Sequence, residues 1–223
     1  MTELPRFEPR QDSRPDDVQW QPATWPVDPA TVLRGRYVEL KPLIREDVAE
    51  LFAALDHDAV WTHLAGRTGT AEAMKSLMMV RVNDPAWQPW TVRVIDDYCG
   101  FKAGSIVGST SFLETSPLDS RTEIGGTMYS PAVWSSHVNP ECKFLLLQFA
   151  FERLGMGRVQ LKTDIRNVRS QQAIARLGAT FEGVLRRYQR RTDDTVRDTV
   201  LFSITAEEWP QVRDRLQERL RAE

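Results

Sequence analysis

Residues 158–179 read RVQLKTDIRNVRSQQAIARLGA, and the two halves of this stretch follow different periods. Residues 158–163 alternate apolar and polar side chains, which predicts a β-strand. Residues 168–177 carry the apolar spacing of an amphipathic helix. The polar elbow at 164–167, DIRN, joins the two halves and contains no glycine. Because tight strand-to-helix connections often rely on glycine, we expect this elbow to do more than turn the chain.

The same two periods recur along the rest of the chain. Strands are predicted at 37–41, 90–95, 105–114, 122–129, 180–190 and 196–204. Helices are predicted from about 45, over 70–83, over 141–154 and around Trp209, Val212, Leu216 and Leu220. The turn residues Ser116, Pro117 and Asp119 make 105–114 and 122–129 an antiparallel hairpin. The order β-α-α-β-β-β-α-β-α-β-β-α predicts an α+β (α/β three-layer) domain, a mixed sheet with helices on both faces.

The N-terminal segment differs in composition from this body. Residues 1–31 contain six prolines, which predicts an extended arm ahead of a single domain at 32–223. Trp20 and Trp25 lie within the segment. One alternative is that both side chains pack against the body and hold the arm there, which the free energy gained by burying two indoles favours. The other is that they lie in a disordered tail and have no structural role.

Composition and charge exclude several functional classes. The chain has 223 residues and a formal net charge of -2, so no general affinity for nucleic acid or an anionic membrane is expected. No segment has the length of a membrane span or the apolar core of a secretory signal. Cys99 and Cys142 form one disulfide at most, and Cys142 within the apolar helix is predicted to be a core thiol; a reduced cytoplasmic setting is expected. His57, His63 and His137 lack the spacing of a metal site, so no metal is expected.

The element order and several short motifs resemble the GNAT superfamily of acyl-CoA-dependent N-acyltransferases, in particular the ribosomal-protein-alanine N-acetyltransferase branch. NVRS at 167–170 and RLGA at 176–179 are similar to the family's Asn-x-x-Ser/Ala and Leu-Gly-Phe. EIG at 123–125 matches the branch's Glu-Ile-Gly, and Trp134 and Glu141 match the ends of the family's Trp-Gly-x-Gly-x-Ala-Thr-Glu. The resemblance covers roughly residues 33–220 and implies a GNAT-like fold with a splayed parallel strand pair.

The resemblance also implies where the pantetheine arm of CoA binds. The splayed strands would be 122–129 and 158–163, and backbone groups at Met128 and Tyr129 would pair with the pantetheine amides as an added strand does. The Asn167 side chain can donate to and accept from an amide, and Ser170 can add a hydroxyl. The alternatives are that Asn167 only caps the helix and that Ser170 is only a polar residue in its first turn.

The pyrophosphate of CoA would bind where the resemblance places a loop before the helix predicted to begin at Glu141. Backbone N–H groups at a helix start suit an anion. The candidate residues are Ser135, Ser136, His137, Val138 and Asn139. The two glycines usual in the family are replaced by Ser135 and His137. Asn139 tolerates the left-handed region, whereas His137 must take an ordinary φ or weaken CoA binding.

Glu123 is the candidate general base for an ammonium substrate. An uninterrupted alternation places Glu123, Gly125, Thr127 and Tyr129 on one face, with Gly125 leaving space beside the carboxylate. The alternative is a solvated carboxylate or an ion-pair partner. The family's tyrosine acid has Ile174 in its place, which leaves Ser135, Tyr129 or a water as the proton donor.

Taken with the resemblance, these residues predict an N-acetyltransferase that moves acetyl from acetyl-CoA to a primary amine, either a protein N-terminus or a small amine. The alternatives are transfer of a larger acyl group such as succinyl, and an acyl-CoA-binding module that has lost catalysis. A homodimer is expected, because the superfamily that the chain resembles often pairs through sheet edges or helices and the aromatic arm can reach a neighbour. The arginines around Tyr188 form either a solvated basic face or a site for an acidic substrate or the CoA 3′-phosphate; they are Arg186, Arg187, Arg190 and Arg191.

Overall fold

The computed structural model describes residues 8, 9, 11, 19–64, 66–191 and 193–222. The strands are β1 (Leu33–Arg34), β2 (Val38–Pro42), β3 (Gln88–Val94), β4 (Ile106–Ser116), β5 (Arg121–Tyr129), β6 (Arg158–Asp164), β7 (Thr180–Arg190) and β8 (Val196–Thr205). The helices are α1 (Val48–Leu55), α2 (Asp58–Trp61), α3 (Ala71–Val82), α4 (Val138–Gln148), α5 (Val168–Ala175) and α6 (Trp209–Ala222). None of the helices described is long and apolar enough to cross a bilayer.

All eight strands belong to one sheet in the order β1-β2-β3-β4-β5-β6-β8-β7. The pair β5–β6 is parallel and the other neighbouring pairs are antiparallel. The parallel pair arises because α4 carries the chain from the end of β5 back to the start of β6, as a crossover must. The predicted fold class, a mixed GNAT-like sheet with a parallel pair, is confirmed.

Two hydrophobic cores cover the two faces of this sheet. On one face α4 and α6 bury Leu146 and Trp209 against strand residues such as Val159. On the other face α1 and α3 bury Leu51 and Met74, together with Ile106 of β4. Ile174 places α5 on the α4 side of the sheet. The helices therefore lie on both faces, as the element order predicts.

The parallel pair separates along its length. β5 and β6 are paired at only three positions, from Arg121 opposite Arg158 to Glu123 opposite Gln160. Beyond that point β5 continues to Tyr129 without a partner on this side. The separation leaves a gap between the two strands and exposes their facing backbone groups, which is the splay that the family resemblance implies.

The predicted boundaries differ from the observed ones mainly at α4. This helix begins at Val138, so the predicted start at Glu141 is three residues late. It ends in a π-helical turn, Phe149–Arg153, in which the Leu154 N–H donates to the Phe149 carbonyl at 3.0 Å. Neither β1 nor α2 was predicted, because they have two and four residues and are too short to show a period.

Residues 19–31 carry no helix or strand and pack along the body. The Trp25 indole N–H donates to the Pro85 carbonyl at 2.7 Å, and its ring meets Phe112 edge-on. Ala23 and Val27 are buried in the larger core. The rest of the segment predicted as an arm, apart from residues 8, 9 and 11, lies outside the described residues. The division between an arm at 1–31 and a domain at 32–223 stays a prediction.

Candidate functional site

A cavity of about 460 Å³ occupies the gap between β5 and β6. Its walls are residues 124–129 of β5 and 161–164 of β6. The loop before α4 and the first turns of α4 and α5 line the cavity on one face of the sheet, and Ala59, Val60, His63 and Leu64, in and after α2, line it on the other. The gap thus joins the two faces of the sheet, so a long ligand held on the α4 side can meet a second molecule on the opposite side.

A β-bulge in β5 determines which side chains face each side of the gap. Gly125 pairs with Ser111 and Met128 with Ser109, so two β5 residues lie opposite the single β4 residue between them. Gly126 takes a φ of +56°, which glycine adopts without strain. The bulge reverses the alternation of side chains beyond it.

The prediction that Glu123, Gly125, Thr127 and Tyr129 share one face is therefore wrong. Thr127 bonds to Lys143 of α4, and Tyr129 packs in the core on the same side. Glu123 lies on the opposite face. Nor does Gly125 leave open space, because a Cβ there would meet the Glu123 Oε1 at 2.7 Å.

Glu123 lies at the closed end of the gap and is buried. Its Oε2 is 2.8 Å from the Lys162 ammonium and 3.4 Å from the Gln160 amide nitrogen. Its Oε1 lies against Gly125, a cavity-wall residue, and receives no hydrogen bond from any residue in the described part of the chain. Glu123 itself does not line the cavity. Burial raises the pKa of its carboxyl, and the bond from Lys162 works in the other direction.

Lys162, on the cavity wall, is held between two carboxylates. Its ammonium lies 2.8 Å from both Glu114 and Glu123 and 3.0 Å from the Tyr188 hydroxyl. Burial alone would lower the pKa of Lys162, but the bonds from the two carboxylates outweigh burial and raise it. Lys162 therefore stays charged at neutral pH. The position of this pair was not predicted, because Lys162 and Glu123 are joined only by the parallel register of β5 and β6.

The polar elbow after β6 is fixed by Asp164. The Asp164 carboxylate accepts from Arg191 Nε at 2.6 Å and Nη2 at 2.9 Å, and it also accepts the Arg166 N–H at 2.9 Å. The Asn167 N–H donates to the Asp164 carbonyl at 2.8 Å. The Arg191 bonds lower the pKa of Asp164 to about 2, against the opposing effect of burial. The ion pair between Asp164 and Arg191 thus stabilises a turn that contains no glycine.

Asn167 and Ser170 lie together on the cavity wall at the start of α5. The Asn167 Oδ1 accepts the Ser170 N–H at 3.0 Å, so the side chain does cap the helix. Its Nδ2 donates to none of the residues described, and neither does the Ser170 hydroxyl. Capping therefore uses one atom of Asn167 and leaves its amide N–H groups for a ligand.

The loop before α4 adapts to the missing glycines in an unexpected way. Ser135 takes the left-handed conformation, with φ of +58°. Asn139 is the second residue of α4, so it does not use its tolerance of the left-handed region. His137 takes an ordinary φ of -70°, stacks on Tyr37 at 4.4 Å between ring centroids and places its Nδ1 2.9 Å from the Tyr98 hydroxyl. Its ring therefore packs away from the cavity, whose wall it does not join.

Of the five candidate residues in and after this loop, three line the cavity. Ser135, Ser136 and Asn139 line the cavity, and within the described chain their backbone N–H groups have no acceptor. The Ser136 hydroxyl accepts from the Val138 N–H at 3.2 Å and donates to the Val133 carbonyl at 2.6 Å. Val138 is fully buried in the core. The loop thus presents three N–H groups at a helix N-terminus, where an anion is stabilised.

Cationic side chains dominate the cavity wall. They are Lys143, Lys162, Arg169, Arg176, Arg197 and Arg219. The acidic residue on the wall is Asp164, which Arg191 already binds. The Arg169 guanidinium lies 4.0 Å from the Trp134 ring centroid, next to the loop before α4. The wall therefore suits a polyanionic ligand.

Glu141 has a structural position. Its carboxylate accepts the backbone N–H groups of Arg36, Tyr37 and Val38 at 2.7, 2.7 and 2.8 Å. A Cβ at Gly35 would lie 2.3 Å from the Glu141 carboxyl carbon, so glycine lets the turn before β2 approach α4. Glu141, which matches the end of the family motif, therefore holds the start of β2 against α4 and does not line the cavity.

The cavity brings together seven of the ten predicted site residues: Met128, Tyr129, Ser135, Ser136, Asn139, Asn167 and Ser170. Glu123, His137 and Val138 lie behind the wall. Burial raises the pKa of Tyr129 well above its usual range, and Cys142 is a buried free thiol. Within the described residues no group of three or more His, Cys, Asp or Glu side chains is arranged to hold a metal ion.

Comparison with known proteins gives one family. Residues 38–180 match the model of the acetyltransferase (GNAT) domain. No curated protein sequence matches the chain at a significant level.

Solved structures share the fold over most of the chain. A protein from T. thermophilus described as an acetyltransferase is 34% identical, with a TM-score of 0.76 over 88% of this chain and 100% of that one. A GCN5-related N-acetyltransferase from Brucella melitensis is 26% identical, with a TM-score of 0.81 over 90% of this chain and 89% of that one. Mycobacterium smegmatis RimJ in complex with CoA-disulfide is 21% identical, with a TM-score of 0.70 over 86% and 95% of the two chains.

Proposed function

The chain belongs to the GNAT acetyltransferase family and is an N-acetyltransferase, and we propose that it transfers the acetyl group of acetyl-CoA to a primary amine. The observation that carries the proposal is the gap between β5 and β6. This gap combines unpaired strand edges at 124–129 with three N–H groups at the start of α4.

These features match the parts of the cofactor. Pantetheine is an amide-bearing chain, and the edge of β5 beyond Glu123, which has no β6 partner, supports binding as an added strand, although the Tyr129 carbonyl already accepts the Trp134 indole N–H. Asn167 supplies amide N–H groups and Ser170 a hydroxyl from the other side of the gap. The pyrophosphate suits the N–H groups of Ser135, Ser136 and Asn139, because a helix N-terminus favours an anion. Arg169 beside Trp134 adds charge there.

Glu123 is the proposed general base. Its Oε1 has no donor among the described residues and lies against the cavity wall at Gly125, while Lys162 holds its Oε2. Because the carboxylate is behind the wall, we propose that it takes the ammonium proton through one water molecule. Burial raises its pKa toward the range in which a carboxylate is an effective base. The neutral amine then attacks the thioester carbonyl carbon directly.

The acceptor is proposed to be a protein N-terminus or a small amine, reaching the cavity from the side opposite α4. The motifs shared with the ribosomal-protein-alanine branch support a protein N-terminus. A panel of peptide and small amines with acetyl-CoA tests the proposal by release of free CoA thiol. Release of thiol together with an acetylated amine supports it, and tight CoA binding without turnover by any amine favours an acyl-CoA-binding module.

A second candidate is transfer of an acyl group that carries a carboxylate, such as succinyl. Arg197 lines the cavity, and its only bond in the described chain is from Nε to the Thr199 hydroxyl at 2.9 Å. Burial lowers the pKa of this guanidinium. A carboxylate on the acyl group would neutralise it. Comparing kcat/KM for acetyl-CoA and succinyl-CoA distinguishes the candidates, and Arg197→Gln should lower only the succinyl value if the second is correct.

Location and assembly belong to the same proposal. We propose a cytoplasmic location, which the free thiols of the exposed Cys99 and the buried Cys142 support. We propose a homodimer, and sedimentation at micromolar protein tests it, since a monomer would overturn it.

A further inference from the structure

Lys143 is a buried cation with no anionic partner within the described chain. It is the sixth residue of α4, is 6% exposed and lies on the wall of the gap. Its ammonium donates to the Thr127 hydroxyl at 2.7 Å and the Thr110 hydroxyl at 3.4 Å. No carboxylate of the described residues lies within 4 Å of it. Burying an unpaired charge is costly, so a lysine at such a position is uncommon.

The groups around Lys143 do not neutralise it. Burial lowers its pKa to about 8, and Glu123 acts in the opposite direction without reaching it. The neighbouring Cys142 has a pKa raised to about 12 by burial, and burial also raises that of Tyr129, so both are neutral near pH 7. Glu141 is turned to the backbone before β2. Arg176 and Arg219, on the same wall, add positive charge.

The location of Lys143 relates it to one part of the cofactor. Its ammonium lies beside Thr127, one residue after the bulge at Gly126, on the α4 side of the gap. It is four residues further along α4 than Asn139, about 6 Å along the helix axis from the loop that suits the pyrophosphate. A pantetheine arm running from that loop toward Glu123 passes this point with its thioester end. An ammonium has three donors, and the two threonine hydroxyls use two of them.

We propose that Lys143 is the residue that receives the leaving thiolate of CoA, its third N–H pointing to the thioester sulfur. The inference rests on the proposed acetyl transfer. Lys143 stabilises the leaving group as a charged hydrogen-bond donor, a role that the sequence leaves unassigned, since Ile174 stands where the family has tyrosine. A cation beside the sulfur stabilises the negative charge that develops there, and Lys143 is only 6% exposed, so water screens its charge little.

Atoms and charge balance in the step. The amine nitrogen forms a bond to the carbonyl carbon and releases its second proton to water in the gap, and the C–S bond breaks with its electron pair passing to sulfur. Lys143 keeps its proton and holds the thiolate by a charge-assisted hydrogen bond. When CoA leaves, the thiolate takes up a proton from water and becomes the free thiol, and Lys143 stays charged. With a pKa of about 8, Lys143 is mostly protonated at neutral pH and ready for the next cycle.

The test uses CoA itself and needs no acceptor amine. The pKa of the bound CoA thiol is measured by the ultraviolet absorbance of the thiolate in the wild-type protein and in Lys143→Met. We expect the thiol pKa to be lower by about 1 to 3 pH units in the wild type, the range for an opposite charge within about 4–6 Å. Desulfo-CoA should bind both proteins equally, because it lacks the sulfur.

The control is Lys102→Met, the same substitution at an exposed lysine that pairs with Asp97 and does not line the cavity. The thiol pKa should stay at the wild-type value in this variant. Thermal stability gives a further readout. A merely structural Lys143 would cost stability when replaced, whereas removal of an unpaired buried charge by Met should leave the melting temperature unchanged or higher.

The outcomes separate the inference from the proposed function. Equal thiol pKa values in the wild type and Lys143→Met, with CoA bound to both, overturn the role of Lys143 and leave acetyl transfer standing. Failure of the wild type to bind CoA overturns the proposed function and the inference with it. A lower melting temperature together with an unchanged thiol pKa assigns Lys143 to the fold alone.

Discussion

At the scale of single residues, the two oxygens of Glu123 have different surroundings. Oε2 is held by Lys162, and Oε1 lies against the cavity wall at Gly125. We expect Glu123→Gln to lower kcat by about 10²–10⁴-fold, the usual contribution of a general base, with little change in acetyl-CoA affinity. The loss should shrink as pH rises, because more of the amine acceptor is then neutral. Steady-state kinetics across pH with one acceptor measures both effects.

Glu114→Gln is the matched control, because Glu114 binds the same ammonium from an exposed position. If loss of activity in Glu123→Gln came only from releasing Lys162, the two variants would behave alike. A raised amine KM with kcat preserved would instead make Glu123 a binding site for the ammonium.

The motifs locate some single residues at the cavity, and residues whose partners are distant in the chain are missed. Asn167 and Ser170 follow from the NVRS motif and lie on the cavity wall. Lys162 was missed because its two carboxylates come from β4 and β5, and only the sheet register joins them. The sequence does contain a signal for Lys143, because this lysine stands within the apolar run of α4, ECKFLLLQ. A charge in such a run requires an explanation.

At the scale of elements, the elbow between β6 and α5 depends on one ion pair. Arg191 lowers the pKa of Asp164 to about 2, whereas an unfolded aspartate titrates near 3.9. The stabilisation is therefore present above about pH 4 and is lost as pH falls toward 2. We expect Asp164→Asn to lower the free energy of unfolding at neutral pH by about 1–2 kcal/mol after allowing for solvent screening. The difference between the two proteins should disappear near pH 2 in denaturant titrations.

The start of α5 separates capping from cofactor binding. Loss of a cap costs about 1 kcal/mol, and Asn167→Ala should cost that much. It should also weaken CoA binding, because the free amide N–H groups of Asn167 lie on the cavity wall. Calorimetry with CoA and thermal melting measure the two effects.

Thr70→Ala provides a cap control away from the cavity. The Thr70 hydroxyl accepts the Ala73 N–H at 3.2 Å at the start of α3. Its replacement should lower stability by a similar amount and leave CoA affinity unchanged. If Asn167→Ala behaves in the same way, Asn167 is only a cap.

Most elements follow from period alone, and the exceptions have physical causes. Long strands such as β4 and β8 and the amphipathic α6 are predicted within a few residues. The bulge at Gly126 was not predicted, because a period of two assumes an unbroken ladder and a glycine can interrupt it without a local signal. Its effect on the site is large, since it moves Thr127 and Tyr129 to the face opposite Glu123.

At the scale of the whole molecule, the segment before β1 contributes to the core. We expect Trp25→Ala to lower the free energy of unfolding by about 2–3 kcal/mol, because it removes an edge contact with Phe112 and a hydrogen bond to Pro85. Trp20→Ala is the control. That indole is 48% exposed and makes one longer bond of 3.3 Å to the Gly155 carbonyl, so the loss should stay below about 1 kcal/mol. Equal losses in the two variants would show that the segment contributes no specific packing at Trp25.

Trp134 gives the site an optical reporter. Its indole lies on the wall of the gap, donates to the Tyr129 carbonyl at 3.1 Å and has the Arg169 guanidinium over its face. A phosphate that attracts Arg169 would change the electric field at the indole, and tryptophan emission is sensitive to that field. The difference in fluorescence between the wild type and Trp134→Phe would then follow occupancy of the gap in real time. Acyl-CoA donors could be ranked by titration before any acceptor amine has been identified.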